Sequence, residues 1–201
     1  MTETTTPNVR GVLRRASIID AARALFSEVG YRGATMAQIA ARADVTHAGL
    51  LYHFSTKDAV LDAVLAEHRE RTAVLAETPE GDGDYLDRLD RVVAQNANEA
   101  DWMRLSSLLL GEAVALDHPL HGVQETRYQD LERRITTGLL GVSHQPHDNV
   151  ALAPLARLLI AAMDGLQLQA TLTEVDAARA ARMRSDFSVM IELIRARLDT
   201  V

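Results

Sequence analysis

The chain has 201 residues, 47% of them hydrophobic, a formal net charge of −7 and no cysteine. A chain of this length can bury about 70% of its unfolded surface without covalent staples. The missing cysteine excludes disulfides, thiolate metal sites and cysteine nucleophiles. The opening MTETTTPNVRG lacks the apolar segment of a secretory signal. No uninterrupted apolar run reaches the roughly 18 residues of a membrane span, so a soluble, cytoplasmic protein with no membrane partner is expected.

Charge is unevenly distributed. Residues 1–57 hold seven basic and four acidic side chains, a net +3, whereas the remainder holds 14 basic and 24 acidic, a net −10. A small basic module on an acidic body suits binding of a polyanion at one end only.

Apolar residues recur at helical spacing nearly throughout, so the predicted fold class is all-α, with about nine helices. After an arm at 1–9 that is expected to be disordered, segment 13–29 places Ile18, Ala21, Ala22, Leu25, Phe26 and Val29 on one face. Gly30 follows as a residue that tolerates positive φ. Thr35-Met-Ala-Gln38 has the capping-box form and predicts a short helix to about Ala43. A second short helix, His47–His53, follows Asp44-Val45-Thr46, with Asp44 expected at positive φ. Ser55-Thr-Lys-Asp58 caps a longer helix to about Glu77. After TPEGDGD (78–84), Asp84 with Asp87 starts another. Helices are predicted at about 85–99, 101–116, 120–140, 150–173 and 177–198, broken at Asp101, Asp117-His118-Pro119, GVSHQPHDN (141–149) and Thr173-Glu174.

Two short helices behind a longer one make the helix-turn-helix layout. Leu50 and Phe54 fall four apart and point the second helix inward. Thr46, His47, Ala48, Gly49 and Tyr52 are left outward, with no bulky obstruction at Ala48 or Gly49, as a helix entering a major groove requires. Packing of the Tyr52 ring into a core is the alternative at that position. His47 and His53 lie on different faces of a helix, and only carboxylates are available as a third ligand, which speaks against metal. The histidine pairs of DHPLH (117–121) and SHQPH (143–147) are read as loop residues, and EGDGD lacks the calcium-loop pattern. No cofactor is expected. No Gly-x-Ser-x-Gly, Walker or dinucleotide-binding motif is present, so no enzyme is predicted.

The run from Arg14 through Leu61 resembles the DNA-binding domain of the TetR family of transcriptional regulators. It has Ile-x-x-Ala-Ala-x-x-Leu-Phe in the first helix, then Gly30-Tyr31, Thr35, Ile39-Ala40, Val45-Thr46, Phe54 and Lys57. Two positions depart from the family: Asp44 stands where Gly is usual and Leu51 where Tyr is usual. The resemblance implies that Thr35, His53 and Lys57 hold phosphates, that Thr46, His47, Ala48, Gly49 and Tyr52 face base edges or backbone, and that Arg14 and Arg15 reach flanking phosphates. It divides the chain into a helix-turn-helix domain at 10–56 and a helical ligand-binding and dimerisation domain at 57–201. The function it implies is a homodimeric repressor that binds a palindromic double-stranded operator and is released by a small-molecule effector. The alternatives are a helical dimer that binds a ligand or protein without DNA, and an enzyme on a helical scaffold.

Segment 150–173 is apolar around most of its circumference and must be covered on more than one side. A second copy is expected on one side, through Leu155, Leu159, Met163 and Leu166 with Met183, Phe187, Met190 and Ile194 of the last helix. A fully internal helix is the other reading. For the effector, Trp102, Met103, Leu105, Leu109 and Glu112 share one helix, and Glu112 is a candidate for orienting a polar or cationic group. The alternatives are plain core for the apolar four and an arginine partner for Glu112.

Overall fold

The computed structural model describes residues 9–77, 83–143, 148–173 and 177–199, and these contain nine α-helices and no strand. The expected arm at 1–9 falls almost wholly outside the described residues. So do most of TPEGDGD and SHQPH. The chain divides between Glu70 and Arg71 into two compact units. The division lies part-way along α4 (Lys57–Glu77), not at its first residue.

The first unit is built on α1 (Val9–Gly33), α2 (Met36–Arg42) and α3 (His47–His53), followed by the first part of α4. α1 begins four residues before the predicted start, and most of that added turn is exposed. Its inward stripe, Ile18, Ala21, Ala22, Leu25 and Phe26, is buried as the spacing predicts. Val29 lies on the same stripe but is 46% exposed. It sits in the last turn before Gly30, whose φ of 73° and ψ of 177° break the helix.

Thr35 closes the capping box. Its Oγ1 accepts from the Gln38 amide, and Gln38 Oε1 accepts from the Thr35 amide at 2.9 Å. Asp44 takes the predicted positive φ, 52°, and the Val45 amide donates back to Ala40 O at 3.0 Å. At the start of α4 the expected cap comes from the second residue of Ser55-Thr-Lys-Asp58, because Thr56 Oγ1 accepts from the Ala59 amide at 3.1 Å.

The second unit holds α5 (Tyr85–Ala97), α6 (Ala100–Ala113), α7 (His121–Val142), α8 (Asn149–Thr171) and α9 (Ala177–Leu198). One core joins them. Leu86, Leu89 and Val93 of α5, Met103 of α6, Ile135 and Leu139 of α7, Leu152, Ala156 and Leu159 of α8, and Met183, Phe187 and Ile194 of α9 are all buried in it. α5 crosses α7 closely at Gly138, where an added Cβ would lie 2.3 Å from the Tyr85 ring. Asp84 caps α5 in a box with Asp87, as the two aspartates predict, and Arg195 of α9 binds both carboxylates. Partial burial raises the Asp84 pKa, but the hydrogen bond of Arg195, those of the Asp87 and Leu86 amides and the Arg195 charge together outweigh it and hold the carboxyl below its ordinary value.

α6 starts at Ala100, so Asp101 lies in its first turn and is not a break. It stops at Ala113, short of the predicted 116, because the following turn supplies its own polar partners. His121 Nδ1 donates to Ala113 O at 2.8 Å, satisfying a carbonyl that the ended helix leaves open. His118 is buried. Its Nδ1 accepts from the Leu120 amide at 3.2 Å, and its Nε2 stands 3.2 Å from Glu112 Oε2. His118 is therefore one partner of Glu112, for which an arginine was the expected partner if it did not serve a ligand.

α8 passes the length and hydropathy test for a membrane span, with a mean hydropathy of 1.4. It carries Arg157 and Asp164, however, and packs against α6, α7 and α9, which is the place of a core helix. Only 28% of its apolar window is buried, so much of that surface has no cover from its own chain.

Candidate nucleic-acid interface

Residues of α3 divide by face. Leu50 and Phe54 are buried at 0% and 4% exposure and anchor the helix to Ile39 and Ala40 of the first unit's core. Their burial turns Thr46, His47, Ala48 and Tyr52 to solvent, and Tyr52 is 87% exposed. Packing of the Tyr52 ring into a core is thereby excluded within this chain. Leu51, at 42%, is also exposed.

Thr46 begins the helix as its cap, accepting from the Gly49 amide at 3.0 Å through Oγ1. A Cβ at Gly49 would stand 3.1 Å from that hydroxyl, so glycine lets the cap close tightly on a half-buried position. His53 is half-buried, with its ring edge-on to Tyr52 at a centroid separation of 5.2 Å. The outward face from Thr46 to His53 contains no carboxylate.

The surrounding cations are placed differently from one another. Arg14 and Arg15 are exposed on α1, and the Arg15 guanidinium lies 4.9 Å from the Phe54 ring centroid. Arg23 and Arg42 are engaged within the unit, by Asp20 at 2.7 Å and by both Glu28 oxygens at 2.5 and 2.9 Å. The Arg42 hydrogen bond and charge hold the Glu28 carboxyl below its ordinary pKa. Lys57 is half-buried, and Nζ donates to Tyr31 O and Ala34 O, each at 2.8 Å. An ammonium has three donors, so this arrangement uses two. The same Nζ is 4.3 Å from the Tyr31 ring centroid, and the Tyr31 hydroxyl donates to Asp58 Oδ1. The family resemblance implies that Lys57 is a phosphate ligand but shows neither Tyr31 nor Asp58 as its neighbours. Partners 26 and 27 positions apart leave no periodic trace in a sequence.

The other predicted sites lie in the second unit. Trp102, Met103, Leu105 and Leu109 are between 0% and 6% exposed, so plain core describes them as the structure stands. Of the eight residues expected at a dimer contact, Leu159, Met183, Phe187 and Ile194 are buried in the core of their own chain, while Leu155, Met163, Leu166 and Met190 are half-buried at its edge. The large apolar side chains left open on α8 and α9 include Val150, Leu158, Leu168, Val189 and Leu193, each at least 50% exposed. A groove between the two helices, about 240 Å³ in volume, runs beside them along Ala161, Gly165 and Met190.

The model of bacterial regulatory proteins of the tetR family matches residues 18–64, the region just described. Over a longer span, the HTH-type transcriptional regulator BetI of Serratia proteamaculans (strain 568) is 31% identical across 167 residues, covering 80% of this chain and 82% of that protein. The chain belongs to the tetR family. Also similar is the HTH-type nicotine-responsive transcriptional repressor HdnoR of Paenarthrobacter nicotinovorans, at 27% identity over 78% of this chain and 82% of that one. In fold, the structure of Salmonella enterica GusR matches with a TM-score of 0.72, over 98% of this chain and 99% of the other, at 20% identity. As a tetR-family member the chain is a DNA-binding transcriptional regulator and not an enzyme. Its α2 and α3 are the helix-turn-helix, and its second unit is the larger helical bundle.

Proposed function

We propose that the protein is a homodimeric repressor that binds a palindromic operator in the cytoplasm and leaves it when a small molecule binds the second unit. The observation that carries this reading is the outward face of α3, open to solvent and free of acidic groups because Leu50 and Phe54 draw the opposite face into the core. In the proposed complex Thr46, His47, Ala48, Gly49 and Tyr52 meet base edges or adjacent backbone. Arg14, Arg15, Thr35, His53 and the remaining donor of Lys57 meet phosphates, which set register without reading sequence.

Two copies are brought together through α8 and α9, where the half-buried Leu155, Met163, Leu166 and Met190 of the expected contact are joined by the exposed Leu158, Leu168, Val189 and Leu193. That pairing sets two α3 helices about 34–36 Å apart, the distance between successive major grooves on one side of a duplex. Control by a small molecule is supported by likeness to HdnoR, which is nicotine-responsive by name. Trp102, Met103, Leu105, Leu109 and Glu112 remain the proposed lining. Since the apolar four are buried, an effector enters only as α6 moves, and it releases DNA only by preferring that moved state.

Selection from random-sequence duplex DNA tests the proposal. The wild-type protein is expected to enrich a palindrome. His47→Ala is expected to alter the bases recovered in each half-site, whereas His53→Ala weakens binding to every duplex by about fivefold to tenfold at moderate salt, the cost of one phosphate contact. Recovery of no common sequence by the wild-type protein, with or without small-molecule extract, would remove the operator from this account.

A further inference from the structure

Beyond the break at Gly30 the backbone turns through Tyr31 to Ala34 and enters the cap of α2 at Thr35. Carbonyls at the end of a helix lose their helical donors and must find others. Here the carbonyls of Tyr31 and Ala34 are both taken by Lys57 Nζ. The ring of Tyr31 lies under the same ammonium, and its hydroxyl is held by Asp58. One residue of the connection is thus gripped at carbonyl, ring face and hydroxyl by two consecutive residues in the first turn of α4. Tyr31 is 6% exposed, whereas Lys57 is half-buried and Asp58 exposed, so the buried side of these charge-assisted bonds is that of Tyr31.

What the grip controls follows from the residues next in the chain. Thr35 comes directly after Ala34 and fixes the start of α2 through its box with Gln38. α2 in turn holds α3, through buried Ile39 and Ala40 and through the Val45 amide on Ala40 O. No free segment lies between the gripped carbonyls and the reading helix. α4 itself continues beyond Glu70, where the first unit ends.

We infer that Tyr31, Lys57 and Asp58 are positioning residues for sequence-specific DNA reading. They hold α2, and through it α3, in the place dictated by the first turn of α4, independently of any phosphate that Lys57 also binds. The inference rests on the proposed operator binding and adds to it the side chains that set the reading helix in place.

Tyr31→Phe removes the hydroxyl and keeps the ring and carbonyl; Asp58→Ala removes the acceptor. Neither alters a side chain proposed to contact DNA, and Tyr31→Phe keeps the ring that lies beside Lys57. Affinities are measured for the palindrome recovered by selection and for a scrambled duplex of equal length, at a temperature where circular dichroism shows each variant folded. Each single change is expected to lower palindrome affinity about tenfold, leaving scrambled-duplex affinity and the salt slope as in wild type. The double variant is expected to be no worse than either single one, because both remove the same bond. Palindrome affinity within about twofold of wild type, an equal loss on both duplexes, or additive losses would each overturn the clamp. Hydrogen exchange of the free protein reads it without DNA. Both variants should speed exchange of amides in Met36–His53 and leave those of α5 to α9 unchanged; unaltered exchange in Met36–His53 overturns the inference whether or not a palindrome is ever recovered.

Discussion

Replacing Leu158 and Leu193 together by glutamate is expected to yield a folded monomer whose operator affinity has dropped about a hundredfold or more. Both leucines stand mainly outside their own core, at 54% and 60% exposure, so their loss costs the monomer little. In the proposed dimer they lie on the contact. Two-fold symmetry then buries four carboxylates without partners, at a cost of several kcal/mol each. A monomer retains one half-site and loses the gain from binding two at once, a factor of about 10² to 10⁴. Light scattering checks the mass against the 22.0 kDa of one chain, and circular dichroism checks the fold. A mass of two chains with DNA affinity intact would place the dimer contact elsewhere on the molecule.

Phe187→Ala makes the opposite expectation from the inner side of α9. Phe187 is 0% exposed and packed in the core shared by α5, α7, α8 and α9. Removing its ring is expected to lower the unfolding free energy by about 3–5 kcal/mol, through lost transfer energy and the cavity left behind. The measurement is a urea titration made twice, once in the otherwise native protein and once in the Leu158→Glu, Leu193→Glu background. An equal cost in both assigns Phe187 to the core of a single chain. A cost that vanishes in the monomeric background would return it to the dimer contact, where helical spacing alone placed it.

That contrast shows how far periodicity reaches. The spacing of Met183, Phe187 and Ile194 identifies one stripe of α9 and says correctly that it is covered. It does not say by what, and α8, apolar on nearly all sides, is an equally good partner within the chain or across a dimer. The short N-terminal helices were more legible. Thr35 with Gln38, Asp44, and Leu50 with Phe54 are local signals, and each acts over three or four residues. They place α2 and α3 to within a residue or two, and the positive φ of Asp44 with them.

Where contacts span many positions, the sequence is silent. Lys57 meets carbonyls 23 and 26 residues away, and its neighbour Asp58 meets the Tyr31 hydroxyl 27 residues away. Glu112 is closer to its partner, yet the turn that brings His118 back to it ends α6 three residues before the periodic pattern does. Polar groups that close a helix end can come from beyond it, and apolar spacing carries no sign of them.

If two copies of α3 read one palindrome in adjacent major grooves, affinity depends on the spacing of the half-sites, which a spacing series on the selected duplex measures. Wild-type affinity is compared between the recovered half-site spacing and duplexes in which about five base pairs, half a helical turn, are inserted at the centre. Two protomers are expected on the native spacing, with a loss of about a hundredfold when the half-sites face opposite sides of the helix. Equal affinity at both spacings would mean that the half-sites are bound independently, and it would contradict the dimeric reading of DNA.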